Sequence, residues 1–285
     1  MFIKLVSPNF SDLFEPNLVI ERFLDGESYV KIPSLNHCRN KKVLLCHRLF
    51  PDQNQSLIEL TLLLGALKQV NAEVTLLTPY LPYSRQDKIV QDGEVSAAET
   101  ICRLLAQSGC SQLITFDCHF LTNPGSNNFV GLPIFNISLA EEIVKHISNQ
   151  FKDHEFIVVG PDEGARRMVG HQAQVLKKTR GEYKKVKFLE RQILHEEKHY
   201  GLSGLNVLIL DDMIASGSTM KSATVLLKKQ GANKVICCAT HGLFVGESAQ
   251  EISSLADAVI TADTIPGPYA QISIRPFVES IFLKG

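Results

Sequence analysis

The chain has 285 residues, 45% of them hydrophobic and 21% charged, with a formal net charge of −1. That length suits two ordinary domains or one large one, and the composition excludes a disordered chain. Near-neutrality argues against a dedicated nucleic-acid binder, which carries a strongly basic surface.

The seven cysteines include no C-x-x-C pair, which leaves little ground for a zinc site. Several sit inside apolar runs, where a free thiol behaves as a small hydrophobe, a usage suited to a reducing compartment. Met1–Pro8 lacks the apolar segment of a secretion signal, and no run reaches the roughly 18 apolar residues of a membrane span. The expectation is a cytoplasmic protein with no membrane partner.

Residues 2–6 and 18–23 read as strands. Asp25-Gly26 then signals a hairpin into a strand Tyr29–Ile32. Beside that structural reading stands a functional one: the Phe23 face stacks on a purine while Asp25 and Glu27 accept from an amino group or a ribose. Lys42–His47 reads as a buried strand, residues 51–67 as a helix and Glu73–Leu77 as another strand. The following segment, Thr78–Lys88, contains two prolines that forbid ladder pairing, so it is a loop at a strand's carboxyl end. Its Arg85, Gln86, Asp87 and Lys88 are either a solvated cluster or a site where Arg85 stacks on an adenine.

Ser96–Gln107 is an amphipathic helix. A strand Gln112–Phe116 leads to Asp117-Cys118-His119, where His119 is either a satisfied core or surface residue or is placed to meet a metal-bound phosphate. Residues 123–128 read as a loop, Leu132–Ile137 as a strand, and Ser138–Gln150 as a helix between domains. The alternation then restarts. Strand Phe156–Val159 ends at Gly160–Arg167, where Asp162 suits a metal and Arg166 and Arg167 suit anions; a capped helix is the plainer alternative. The basic run Gln174–Lys185 reads as solvated surface or as a mobile loop closing on a polyphosphate, since phosphoryl transfer is helped by positioned positive charge. Strand Val186–Leu189 and a polar loop His195–His199 follow.

The chain then reaches its most informative stretch. Val207–Leu210 is a buried strand with Asp211 and Asp212 at its carboxyl end, a turn Ala215-Ser216-Gly217-Ser218-Thr219, and a helix behind it. Backbone N–H groups and hydroxyls at a helix N-terminus seat a phosphate, and paired carboxylates beside them suit sugar hydroxyls or Mg²⁺. Strands at Lys234–Ala239, Asp257–Ala262 and Gln271–Ile274 and a helix Pro276–Phe282 complete the chain. No P-loop or dinucleotide fingerprint occurs. Strand–helix alternation throughout predicts an α/β protein of two similar domains, residues 1–148 and 149–285, each a mainly parallel sheet flanked by helices.

Six landmarks fall in one order: Arg22-Phe23-x-Asp25-Gly26-Glu27, Tyr83-Ser84-Arg85-Gln86-Asp87-Lys88, Asp117-x-His119, Pro161-Asp162-x-Gly164, Lys178-x-Arg180, and Asp211-Asp212-Met213 with its turn. Together they resemble the ribose-phosphate pyrophosphokinases (phosphoribosyl pyrophosphate synthetases) over essentially the whole chain, in their shorter, archaeal-like form. The resemblance implies phosphoribosyltransferase-like domains and transfer of the β,γ-diphosphoryl group of Mg-ATP to the C1 hydroxyl of ribose 5-phosphate.

It further implies a role for each landmark. Phe23, Asp25 and Glu27, from a neighbouring subunit, and Arg85, Gln86 and Asp87 bind ATP. His119 and Asp162 meet Mg²⁺ and the phosphates. Lys178 and Arg180, with His119, are catalytic. Asp211, Asp212 and Ala215–Thr219 bind ribose 5-phosphate. A homodimer or larger homo-oligomer follows from the shared adenine site.

The sequence departs from the pattern at Leu24, where Pro is usual, at Cys118 and Phe120 around His119, and at the Ala215-Ser216 opening of the turn. Ser218 stands at a usual Gly position, where a positive φ would cost about 1 kcal/mol. Two rivals remain: a phosphoribosyltransferase, which would not need the N-terminal landmarks, and a silent regulatory homologue, which would be expected to lose charged site residues retained here.

Overall fold

The computed structural model describes residues 2–170, 173–185, 189–195 and 200–284. Two units emerge, Met1–Ile137 with Ile274–Gly285, and Ser138–Ser273.

The first unit contains β1 (Ile3–Val6), β2 (Val19–Arg22), β3 (Ser28–Lys31), β4 (Lys42–Cys46), α1 (Gln53–Gln69), β5 (Glu73–Leu77), α2 (Ala97–Ser108), β6 (Cys110–Phe116), β7 (Gly125–Phe129) and β8 (Leu132–Ile137). The main sheet runs β1-β4-β5-β6-β8-β7, parallel except for β7. Its strands β4 and β5 are covered on both faces and so read as continuous apolar runs. Val43, Leu44, Leu45 and Cys46 are all buried, as are Leu60, Leu63, Leu64 and Leu67 of α1, one apolar stripe at helical spacing.

The loop expected at 123–128 is instead largely an edge strand. Its Ser/Asn sequence has no apolar alternation, and β7 becomes a strand by backbone pairing with β8 through a turn in which Val130 and Gly131 both have positive φ. Antiparallel β2–β3 forms the hairpin that Asp25-Gly26 signalled, with Gly26 at φ 95°.

The second unit contains α3 (Ala140–Gln150), β9 (Phe156–Gly160), α4 (Arg166–Val169), β10 (Gln174–Val175), β11 (Lys178–Lys185), β12 (Leu189–His195), β13 (Asn206–Ile214), α5 (Ser218–Lys229), β14 (Val235–Gly242), α6 (Ser248–Ser253), β15 (Ala258–Ala262) and β16 (Ala270–Ile272). Its parallel sheet runs β10-β9-β13-β14-β15-β16. The order reverses at β9, with β10 on one side and β13 on the other. That topological switch opens a crevice beyond the strand ends, where open α/β sheets bind ligands.

The basic run Gln174–Lys185, expected as solvated surface or a mobile loop, contains β10 and strand β11, the latter paired antiparallel with β12 and interrupted by a bulge between Arg180 and Tyr183. Of the strand expected at Val186–Leu189, Val186–Phe188 lie outside the described residues and Leu189 opens β12. Likewise His195 closes β12 and the remainder of the expected loop, 196–199, lies outside them.

The final helix, α7 (Arg275–Lys284), belongs to the first unit. Its Arg275 donates to the Leu13 carbonyl and lies over the Phe14 ring at 4.7 Å. Phe277 meets Phe116 edge-on at 6.0 Å, and Phe282 meets Phe14 at 4.7 Å. The division expected at 148/149 therefore falls at 137/138 and again at 273/274: α3 belongs wholly with the second unit and α7 with the first. No helix among the described residues is long and apolar enough to cross a membrane.

Candidate active site

In the first unit the landmark residues stand on three features. The β2–β3 tip presents Phe23, 54% exposed, with its ring edge-on to Tyr29 at 5.7 Å. Phe23 N donates to Glu27 O at 2.8 Å, and Glu27 N donates to Asp25 Oδ1 at 3.1 Å. Asp25 is thus partly spent on shaping its own turn.

The loop after β5 carries Arg85 and Gln86, both exposed, and half-buried Asp87. Buried Ser84 and the hydrogen bond from Ala98 N to Gln86 O, 3.1 Å, hold its base. At the end of β6, Asp117 adopts φ 34°. Its N–H donates to Ile137 O at 2.9 Å, and Cys118 N donates to Asn136 Oδ1 at 2.9 Å. Those two bonds over-determine a conformation costing about 1–3 kcal/mol and leave His119 half-exposed just beyond it. Asn136 is a supporting residue that sequence reading missed, because its strand neighbours gave no polar signal.

In the second unit, the residues after β9 and those along the end of β13, which runs past the expected Leu210 to include Asp211 and Asp212, stand at the switch point. Asp162 is buried, and its Oδ1 accepts from Gly164 N at 2.7 Å, so the capped turn considered above is formed. A Cβ at Gly164 would lie 2.9 Å from that oxygen, which explains the glycine. Arg166 pairs with Glu163, and its hydrogen bond lowers that carboxyl below the ordinary range.

Arg167 reaches the other way and forms an ion pair with Asp212, whose side chain is 4% exposed. Adjacent strand residues face opposite sides: Asp211 is half-exposed, and its Oδ1 accepts from Asp212 N at 2.9 Å, while Asp212 points inward to Arg167. Of the two arginines, for which the sequence leaves open an anion seat or the basic face of a capped helix, Arg167 is the partner of an acid 45 residues later.

The turn Ala215–Thr219 leads into α5, whose N-terminal N–H groups lack intrahelical acceptors. Gly217 sits at φ 72°, and a Cβ there would meet Ile252 Cδ1 at 2.8 Å. The positive φ expected at Ser218 belongs to Gly217; Ser218 opens the helix unstrained, its Oγ 3.0 Å from Ser216 Oγ. Helix α6 braces the turn through Ser248, which donates to Ala215 O at 3.2 Å.

Lys178 and Arg180 lie on β11, paired in register with His195 and Ile193. Among the described residues no three His, Cys, Asp or Glu side chains gather into a metal cluster. Asp162 is a carboxylate of the kind that suits Mg²⁺, an ion that takes one or two carboxylates from a protein and fills its shell with phosphate oxygens and water.

Residues 14–109 match the N-terminal domain of ribose phosphate pyrophosphokinase, and residues 134–269 match the phosphoribosyl transferase domain. The ribose-phosphate pyrophosphokinase of Methanopyrus kandleri is 31% identical over 258 residues, covering 90% of this chain and 86% of the relative. That of Thermococcus kodakarensis is 33% identical, covering 90% and 89%. The chain belongs to the ribose-phosphate pyrophosphokinase family. A phosphoribosylpyrophosphate synthetase from Mycobacterium smegmatis shares the fold at a TM-score of 0.78 and 22% identity, over 100% of this chain and 99% of that one. Both domains of this pyrophosphokinase family member are therefore present, and the archaeal relatives agree with the short form read from the sequence.

Proposed function

We infer that this member of the ribose-phosphate pyrophosphokinase family transfers the β,γ-diphosphoryl group of ATP to the C1 hydroxyl of ribose 5-phosphate, giving phosphoribosyl pyrophosphate and AMP. The observation that carries the residue assignment is the switch-point crevice, with Asp211 beside a braced phosphate-binding turn at the N-terminus of α5. In-line transfer needs placed reactants and neutralised charge, with little covalent chemistry from the protein.

In the second unit, Ala215–Thr219 seat the 5-phosphate through backbone N–H groups and hydroxyls. Asp211 accepts from the ribose hydroxyls, and Asp212 acts through the geometry it shares with Arg167. Lys178 and Arg180 supply cations to the phosphoryl group in transit. In the first unit, Arg85, Gln86 and Asp87 hold ATP, and the Phe23–Glu27 tip completes the adenine site of a neighbouring subunit in a homodimer or larger assembly. His119 and Asp162 are the metal-facing groups of their respective units. Mg²⁺, when bound with ATP, supplies charge neutralisation to the polyphosphate. All seven cysteines are free and buried, which supports a reducing, cytoplasmic setting.

The test is a product assay with ATP, Mg²⁺ and ribose 5-phosphate, the nucleotides being separated by chromatography. AMP formed in step with a pyrophosphorylated sugar is expected. ADP would mean an ordinary kinase, and no turnover with or without added inorganic phosphate would favour the silent homologue.

A further inference from the structure

Helix α1 carries an acid, Glu59, that is only 7% exposed. It takes hydrogen bonds at one oxygen, Oε1, from Ser28 Oγ at 2.9 Å and from Gln55 Nε2 at 2.7 Å. Gln55 lies one turn earlier on the same helix face. Its own Oε1 accepts from Arg22 Nη2, and its Nε2 lies 3.5 Å from Ser28 Oγ.

Arg22 and Ser28 are cross-strand partners, the last pair of the β2–β3 ladder before the tip. Both stems of the hairpin are thus tied to one face of α1 at the point where the exposed Phe23–Glu27 turn begins. The adjoining face of α1 is locked into the core by Leu60, Leu63, Leu64 and Leu67.

A buried carboxylate is a poor way to gain stability, because apolar residues of similar volume serve as well or better. What the polar chain Arg22–Gln55–Glu59–Ser28 adds is direction: hydrogen bonds fix the height and angle of the hairpin where apolar contact would let it slide. A two-stranded hairpin is at best marginally stable by itself, so its tip is only as well placed as its anchor.

We propose that Glu59 and Gln55 are positioning residues that hold the Phe23–Asp25–Glu27 tip at the setting needed to receive a purine base. The proposal rests on the reading of that tip as part of the adenine site, and the experiment separates the two. Full-length Glu59→Leu, Glu59→Gln, Gln55→Ala and Phe23→Ala variants are compared by amide exchange over the hairpin and by steady-state kinetics.

Glu59→Leu should speed exchange at the Phe23 and Gly26 amides by about tenfold and raise the ATP KM by about tenfold, with kcat and the ribose 5-phosphate KM within about twofold. Glu59→Gln keeps an acceptor oxygen and should restore most of both effects. Gln55→Ala, on a half-buried position, cuts the Arg22 arm and serves if Glu59→Leu does not fold. Phe23→Ala tests the tip itself and should raise the ATP KM with any anchor.

If Phe23→Ala raises the ATP KM while the anchor variants change neither exchange nor KM, the anchoring is wrong and the adenine reading stands. If Phe23→Ala leaves the ATP KM unchanged, the adenine reading falls, and with it the proposed purpose of the anchor; exchange alone then decides whether the anchor exists.

Discussion

The two units present their landmark residues in opposite ways. In the first, Phe23, Arg85 and Gln86 project from a hairpin tip and a loop, exposed and held only at the base. In the second, Asp162 and Asp212 are buried at strand ends, each already engaged by a neighbour. The sheets explain the difference. The order β10-β9-β13 reverses at β9 and opens a crevice into which strand ends deliver side chains directly. In the first sheet β1, β4, β5, β6 and β8 follow one another without reversal; Asp117 and His119 stand at the end of β6, and the other landmarks on what extends beyond the sheet. Pre-organised groups suit a small rigid sugar phosphate; extended ones suit a larger ligand that must enter and leave.

Lys178 and Arg180 test the comparison most severely, because they sit in the second unit yet on a ribbon outside its main sheet. Ala substitution at either should cut kcat by about a thousandfold and leave ATP binding largely intact, as measured by turnover and by equilibrium titration. Near-normal turnover in both would remove the ribbon from the site.

Asp211 and Asp212 separate binding from pre-organisation within one strand. Asp212→Ala removes the carboxylate that holds Arg167 and should cost about 3–5 kcal/mol in chemical denaturation. Asp211→Ala should cost about 1 kcal/mol but raise the ribose 5-phosphate KM by at least about tenfold. Equal stability losses would erase the distinction.

In the first unit a buried titratable group also lies away from the landmarks. His47 is fully buried; its Nε2 faces the Ser56 carbonyl at 3.0 Å and therefore carries the proton, so its Nδ1 accepts from Ser7 Oγ at 2.8 Å. Burial pushes its pKa from the ordinary 6.5 down to about 4. Between those values the unfolded chain binds a proton that the folded one refuses. The stabilisation is therefore complete above about pH 6.5 and is lost as pH falls toward 4, by up to about 3 kcal/mol. Denaturation at pH 7, 5.5 and 4.5 should show a shallower acid loss in His47→Gln than in the wild type.

Arg85→Ala should have the smallest effect: about a tenfold rise in the ATP KM, with stability unchanged to within about 0.5 kcal/mol in thermal melts. A large drop in melting temperature would show that Arg85 is structural, and the contrast between the units would weaken.

Much of this was legible from local pattern. Apolar runs placed β4 and β5 almost to the residue, because a strand covered on both faces writes its burial into consecutive positions; β8 matches its expected span with alternating burial, while β13 runs beyond the expected Leu210 through Asp211 and Asp212 to Ile214. Asp25-Gly26 announced its hairpin, since few residues other than glycine tolerate φ 95°. The order of six motifs identified the family. Tertiary structure alone decided which strands neighbour one another, that α7 closes the first unit, that β7 and β11 are strands, and that Arg167 belongs to Asp212 and Glu59 to the hairpin. Apart from the local hairpins of β7 with β8 and β11 with β12, those are pairings between residues far apart in the chain. A side chain's burial leaves a local period in the sequence, but the identity of the partner that buries it does not.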